Sequence, residues 1–145
     1  YLQGTLRSHD PEVREQLRAE VENALKLSEY MGGSYELKIQ KGYPCLYNDP
    51  DVNRWMQSAA RDLLGDPAVV EAEFGMGAED FAYMTQRAKG AMFMLGAATP
   101  DGVTRHHHTD VFDIDERVLP IGAAVLAETA RRFVTGQYRR NDERT

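Results

Sequence analysis

The sequence predicts an α/β fold, and three patterns carry that expectation. Ser34 to Lys41 alternates, with Tyr35, Leu37 and Ile39 on one face and Glu36, Lys38 and Gln40 on the other, the pattern of a strand with one wet face. Just upstream, Val13, Leu17, Val21, Ala24 and Leu25 recur at helical spacing behind an Asp10-Pro11 start, which supplies an N-cap and a proline at the first helical position. Further on, Ala91 to Leu95 is a continuous apolar run of strand length, as expected for a strand covered on both faces.

The elements follow in order. Tyr1 to Ser8 reads as a strand from its Tyr, Leu and Thr content, although Gly4 weakens it. The first helix stops at Gly32-Gly33, and strand, helix, strand make half of a small α/β sandwich. Gly42 to Tyr47 has no periodicity, and a domain boundary is expected there. Asn48-Asp49-Pro50 opens a second helix, whose apolar residues run from Val52 through Trp55, Met56 and Ala59 to Leu64 before Gly65. Ala68 to Phe74 is expected to be a short strand, Gly75-Met76-Gly77 a turn, Ala78 to Arg87 a short helix and Thr99 to Gly102 a turn. Asp113 or Asp115 is expected to cap the last helix, with Pro120 in its first turn and Val118, Leu119, Val125, Leu126, Ala130 and Phe133 on its buried side. Beyond Gly136, residues 139 to 145 are polar and expected to fray.

A chain of 145 residues can hold one ordinary core, or a small module joined to part of a larger one. Hydrophobic residues at 42% and charged residues at 28% match globular rather than disordered or membrane chains. No apolar run approaches a bilayer span, so no membrane partner is expected. The net charge of -6 argues against nucleic acid, because binding phosphates needs a clustered basic face. The one basic cluster, Arg131-Arg132 to Arg139-Arg140, reads as the cationic end of a helix. A single cysteine, Cys45, excludes an intrachain disulfide and suits a cytoplasmic setting. Tyr1 follows neither an initiator methionine nor a signal segment, and the strand pattern starts at once, so the chain is expected to begin within a longer protein.

The chemistry is concentrated in His106 to Glu116, where three imidazoles and four acids share eleven residues. Imidazole and carboxylate are the donors of hydrolytic zinc, manganese or cobalt sites. This stretch cannot be a whole site, since a catalytic metal needs at least three protein ligands, usually from several elements. If residues 106 to 108 are extended, His106 and His108 point one way and His107 the other. A solvated turn accounts for the run equally well. Glu79-Asp80, after Gly77, either cap a short helix or flank backbone donors that hold a substrate carbonyl or carboxylate. Arg7 is either solvated or ion-paired, or its planar fork grips a carboxylate. No Gly-x-Ser-x-Gly elbow, Walker-type loop or dinucleotide fingerprint is present.

Five motifs in order resemble the C-terminal portion of the M20-type metallopeptidase and amidohydrolase family, in its aminoacylase and hippurate-hydrolase-like branch. They are Gly4-Thr5-Leu6-Arg7 with Asp10-Pro11-Glu12-Val13-Arg14; Pro44 with Asn48-Asp49; Gly77-Ala78-Glu79-Asp80-Phe81; Gly96; and His108 before Phe112-Asp113-Ile114-Asp115-Glu116 with Leu119-Pro120-Ile121-Gly122. The resemblance implies that residues 1–43 end a small α/β lid domain that also dimerises, and that residues 44–145 are the C-terminal part of a zinc-peptidase-like α/β catalytic domain. It implies two divalent ions per intact site (zinc, manganese or cobalt), with His108 as the final metal ligand and Arg7 on the substrate carboxylate. Gly77, Glu79 and Asp80 match the segment lining the substrate pocket. The implied activity is hydrolysis of the amide bond of N-acyl amino acids or similar small amides by a homodimer, the other metal ligands and the general base being absent from this chain. The alternative is a dimerisation or binding module of the same fold without chemistry. Asp110 stands where relatives often have proline, and Cys45 where many have a second one.

Overall fold

A computed structural model of the chain describes residues 1–71 and 75–138. These fall into two compact units, Tyr1–Asn48 with Ala72–Gly90 and Asp49–Glu71 with Ala91–Thr145. Among the described residues the regular elements are helices and 3-10 turns, with no strand.

In the first unit, α1 runs from Pro11 to Tyr30. The Asp10 carboxylate accepts the Glu12 and Val13 N–H groups at 2.7 and 3.0 Å, as expected of an N-cap. The helix ends where Gly32 takes φ +82°, a conformation that costs glycine little. Leu17, Val21 and Leu25 form its half-buried face. Beyond it, Tyr35, Leu37 and Ile39 are half-buried and the residues between them exposed, which is the alternation the sequence predicts. The ladder, however, is missing. A strand needs a neighbour to take its N–H and C=O groups, and among the described residues no backbone hydrogen bond joins Tyr1 to Ser8 or Ser34 to Lys41 to another segment. Tyr1 and Leu2 stand in solvent.

The segment after residue 41 is fixed by side chains. Arg14 Nη1 donates to the Tyr43 carbonyl at 2.8 Å, and the Tyr43 ring meets Tyr83 edge-on at 6.0 Å. Tyr83 belongs to α3, Ala82–Thr85, a single turn where the sequence predicts a helix from Ala78 to Arg87. So short a helix has no side-chain cap, and Gly77 and Gly90 flank it. Ala82 and Tyr83 N–H instead bond the Glu79 and Asp80 carbonyls in a turn, because extending the helix would fix more residues than its few apolar contacts offset.

In the second unit, α2 spans Pro50–Leu64, with the Asp49 carboxylate accepting the Asp51 and Val52 N–H groups at 3.0 and 3.2 Å. Gly65, at φ +87°, ends it. Asp66–Ala68 is a 3-10 turn and residues 69–71 form no strand; the rest of the expected strand, 72–74, lies outside the described residues. Ala91 is buried, but Met94 is half-exposed, so the apolar run to Leu95 is covered at one end rather than on both faces. Again no neighbouring strand is present among the described residues.

Asp115, rather than Asp113, caps a 3-10 turn, Glu116–Val118, by accepting the Arg117 N–H at 3.1 Å. This turn leads into α4, Leu119–Val134, with Pro120 in its first turn as the sequence predicts. The buried side of α4 agrees with the expected one at Val125, and Val118 just before the helix is half-buried, but the rest of the face differs. Gly122, Val125 and Arg132 are buried, while Leu119, Leu126 and Phe133 stay about half-exposed and Ala130 is exposed. The helix is apolar on two sides, and the choice between them is made by α2. Arg132 reaches Asp62 of α2 at 2.5 Å and Glu128 at 2.7 Å, and the Trp55 ring of α2 stacks on Tyr138 at 4.9 Å and lies 5.5 Å from Phe133. At Gly122 a Cβ would meet Leu95 Cδ2 at 2.9 Å, so the missing side chain is what lets Leu95 approach α4.

Candidate functional site

Arg7, Gly77, Glu79 and Asp80 fall in the first unit, and His108 falls in the second. Within the first unit the structure joins residues that the sequence leaves far apart. Arg7 Nη1 donates to the Met76 carbonyl at 2.6 Å, across 69 positions of sequence. This holds the guanidinium beside the Gly77 turn, where the Gly77 N–H closes on the Gly75 carbonyl at 2.9 Å. Among the described residues that is the one hydrogen bond of Arg7, whose side chain is exposed, so its remaining N–H groups face solvent. An anchored fork with free donors suits a carboxylate better than a freely rotating one, since less freedom is lost on binding. Glu79 and Asp80 are exposed, and their carbonyls hold the first turn of α3. Nearby in sequence to Arg7, His9 Nδ1 lies 3.6 Å from the Cys45 sulfur.

In the second unit the histidines form a turn rather than an extended run, so the alternate pointing of His106, His107 and His108 does not hold. Thr109 Oγ1 donates to the His106 carbonyl at 2.9 Å, and the Phe112 N–H reaches the Thr109 carbonyl at 3.3 Å. His108 sits at φ +63°, the one positive φ outside glycine among the described residues. That conformation crowds Cβ against the backbone and costs about 1–2 kcal/mol, although histidine tolerates it better than most residues. Its imidazole is not sunk among aliphatic neighbours. It lines an open depression of about 340 Å³ with His107 and Phe112. The His107 ring stands nearly perpendicular to both others, 6.3 Å from His108 and 5.3 Å from Phe112 between centroids.

Three acids near this turn, Asp101, Asp113 and Asp115, already have partners. Asp101 accepts Arg105, Thr99 Oγ1 and the Val103 N–H, and the Arg105 fork above all holds its carboxyl well below the usual range. Asp115 is bound by the Arg117 side chain and N–H, which lower its pKa in that order. Asp113 accepts the Ile114 N–H at 2.9 Å. Among the described residues no group of three or more His, Cys, Asp or Glu side chains is placed to hold a metal ion. These residues therefore do not by themselves make the two-metal centre that the resemblance implies. His108 offers one exposed imidazole, and of the acids in its stretch Asp113 accepts a backbone N–H and Asp115 is held in capping and ion pairing.

Two features of the site had no sequence signal, the Met76 carbonyl under Arg7 and the ring of His107 between its neighbours. Phe112 was visible only as part of a motif.

Residues 4–132 match the family described as Peptidase family M20/M25/M40, and the chain belongs to it. Among curated relatives it is 41% identical over 132 residues to a Bacillus subtilis protein named as an amidohydrolase, YhaA, covering 89% of this chain and 33% of that one. An IAA-amino acid hydrolase of Arabidopsis thaliana is 35% identical over 91 residues, covering 63% of this chain and 21% of the relative. Thermostable carboxypeptidase 1 of Saccharolobus solfataricus is 33% identical over 135 residues, covering 91% and 34%. The chain thus spans about a third or less of the length of these relatives.

Proposed function

We propose that this chain is the C-terminal part of a divalent-metal-dependent amidohydrolase that cleaves the amide bond of N-acyl amino acids or similar small amides. The observation that carries the reading is the family match across residues 4–132. The names of the relatives support it, since two are hydrolases of amides or amino-acid conjugates and one a carboxypeptidase. In this reading residues 1–43 end a lid domain, residues 44–145 belong to the catalytic domain, and the intact protein works as a cytoplasmic homodimer. That no helix among the described residues is long and apolar enough to cross a membrane is compatible with it.

The roles are those the family resemblance implies, and the geometry of Arg7 is compatible with its part. Arg7, anchored at the Met76 carbonyl, holds the substrate carboxylate with its remaining donors and so fixes the orientation of the amide, while Gly77, Glu79 and Asp80 border the same turn. His108 supplies one imidazole ligand from the open side of its turn. The two ions, of zinc, manganese or cobalt, would lower the pKa of a water and polarise the amide carbonyl. The remaining ligands and the general base belong to polypeptide outside these residues, and the 145 residues alone are inactive. A non-catalytic dimerisation or binding module of the same fold is the second reading.

The test is hydrolysis of N-benzoyl and N-acetyl amino acids by the longest reading frame containing this chain, with each metal and after chelation. Metal-dependent cleavage is expected, with Arg7→Ala raising KM about tenfold or more for amides bearing a carboxylate and changing uncharged analogues little. Absence of hydrolysis with every metal would leave the module reading.

A further inference from the structure

We propose that His107 is a positioning residue, its ring set edge-on between Phe112 and His108 so that it fixes the direction of the His108 imidazole. Three observations converge on it. The turn from His106 to Phe112 is closed by two hydrogen bonds, but both involve Thr109 and neither reaches an imidazole. His108 is exposed, and the left-handed backbone that sets the direction of its Cβ leaves the rotation of the imidazole about the side-chain bonds to its neighbours. The packed neighbour that does is His107, whose ring lies 6.3 Å from His108 at 84° and 5.3 Å from Phe112 at 81°, within the range of favourable edge-to-face aromatic pairs.

Phe112 closes the arrangement from the other side. Its spacing of four residues from His108 brings its ring back over His107, and the three side chains together border the depression beside the turn. The left-handed residue is what makes this possible, since an extended run would send His107 and His108 to opposite faces. Strain at one backbone position is therefore coupled to two edge-to-face ring pairs that share His107, with the His108 imidazole left exposed.

This rests on the hydrolase reading only for its purpose, because that reading makes His108 a ligand that must be aimed. Its test needs no activity. Two-dimensional NMR of the imidazole carbons of the 145-residue chain is expected to show the His108 ring resonances displaced from those of an unstructured histidine by the ring currents of its neighbours. His107→Phe keeps an aromatic ring in place and retains the displacement, whereas His107→Ala loses it. Unchanged circular dichroism in both variants shows that α2 and α4 persist, as an exposed turn residue permits. His108 resonances at unstructured positions in the parent chain, or no change on His107→Ala, or loss in the phenylalanine variant as well, would each overturn the assignment. If the longer protein hydrolyses no amide while the displacement persists, the hydrolase reading fails and the positioning role stands.

Discussion

Arg132 is a guanidinium buried in a helix, and it is accommodated because its fork reaches two carboxylates at once, Asp62 and Glu128. Arg132→Met is expected to lower the unfolding free energy by about 1–2 kcal/mol, modest because Asp62 remains largely solvated. Arg132→Lys should recover only part of it, since an ammonium cannot span both partners. Chemical denaturation of the three proteins checks this. Glu128 also predicts a pH dependence. The Arg131 and then Arg132 hydrogen bonds lower its pKa from the model-peptide 4.5 to about 2. A depressed folded value means that its contribution is fully present above the unfolded pKa and is lost as pH falls through the interval from 4.5 to about 2. Asp101 and Asp115 shift in the same direction. Melting temperature should therefore fall in that window, and Glu128→Gln should flatten part of the fall. At His108, φ +63° sets a third expectation. Substitution by valine, whose branched Cβ fits that region poorly, should cost about 1–2 kcal/mol, while glycine should not destabilise. Thermal melts of the two variants decide it.

At the scale of elements, what could be read in the sequence was what is local. Asp10 and Asp49 cap α1 and α2 because a carboxylate before a proline-led helix has free N–H groups within two or three residues. Asp10→Ala should accordingly cost about 1 kcal/mol and reduce far-ultraviolet helical signal. What the sequence does not carry is pairing over distance. The alternation of Tyr35, Leu37 and Ile39 correctly gave a burial pattern, yet alternation says nothing of whether a neighbour takes the backbone groups. The side of α4 that is buried depends on Asp62, seventy positions from Arg132. The anchoring of Arg7 depends on a carbonyl, which no residue type advertises. The candidate site followed the same rule. Its residue types were legible from motifs, while the turn that ends the alternation of the histidines came from Thr109, whose hydroxyl bonds the His106 carbonyl.

For the molecule as a whole, the feature with the widest consequence is its exposed apolar surface. Leu27, Tyr30, Leu126 and Val134 are all more than half exposed. Apolar surface of that kind promotes association, so the 145-residue chain is expected to form concentration-dependent oligomers in sedimentation experiments. Equilibrium dialysis against zinc should show no tight one-to-one binding, given that no set of three donors is assembled among the described residues. Retention of one ion per chain after buffer exchange would contradict this.

The two units are also threaded through one another in chain order, since the backbone passes from one to the other after Asn48, after Glu71 and after Gly90. During synthesis from the N-terminus, the first cannot close until residue 90 has emerged, and by then the second still waits for α4. A ribosome stalled before residue 90 has emerged would present two unfinished bodies rather than one finished and one pending.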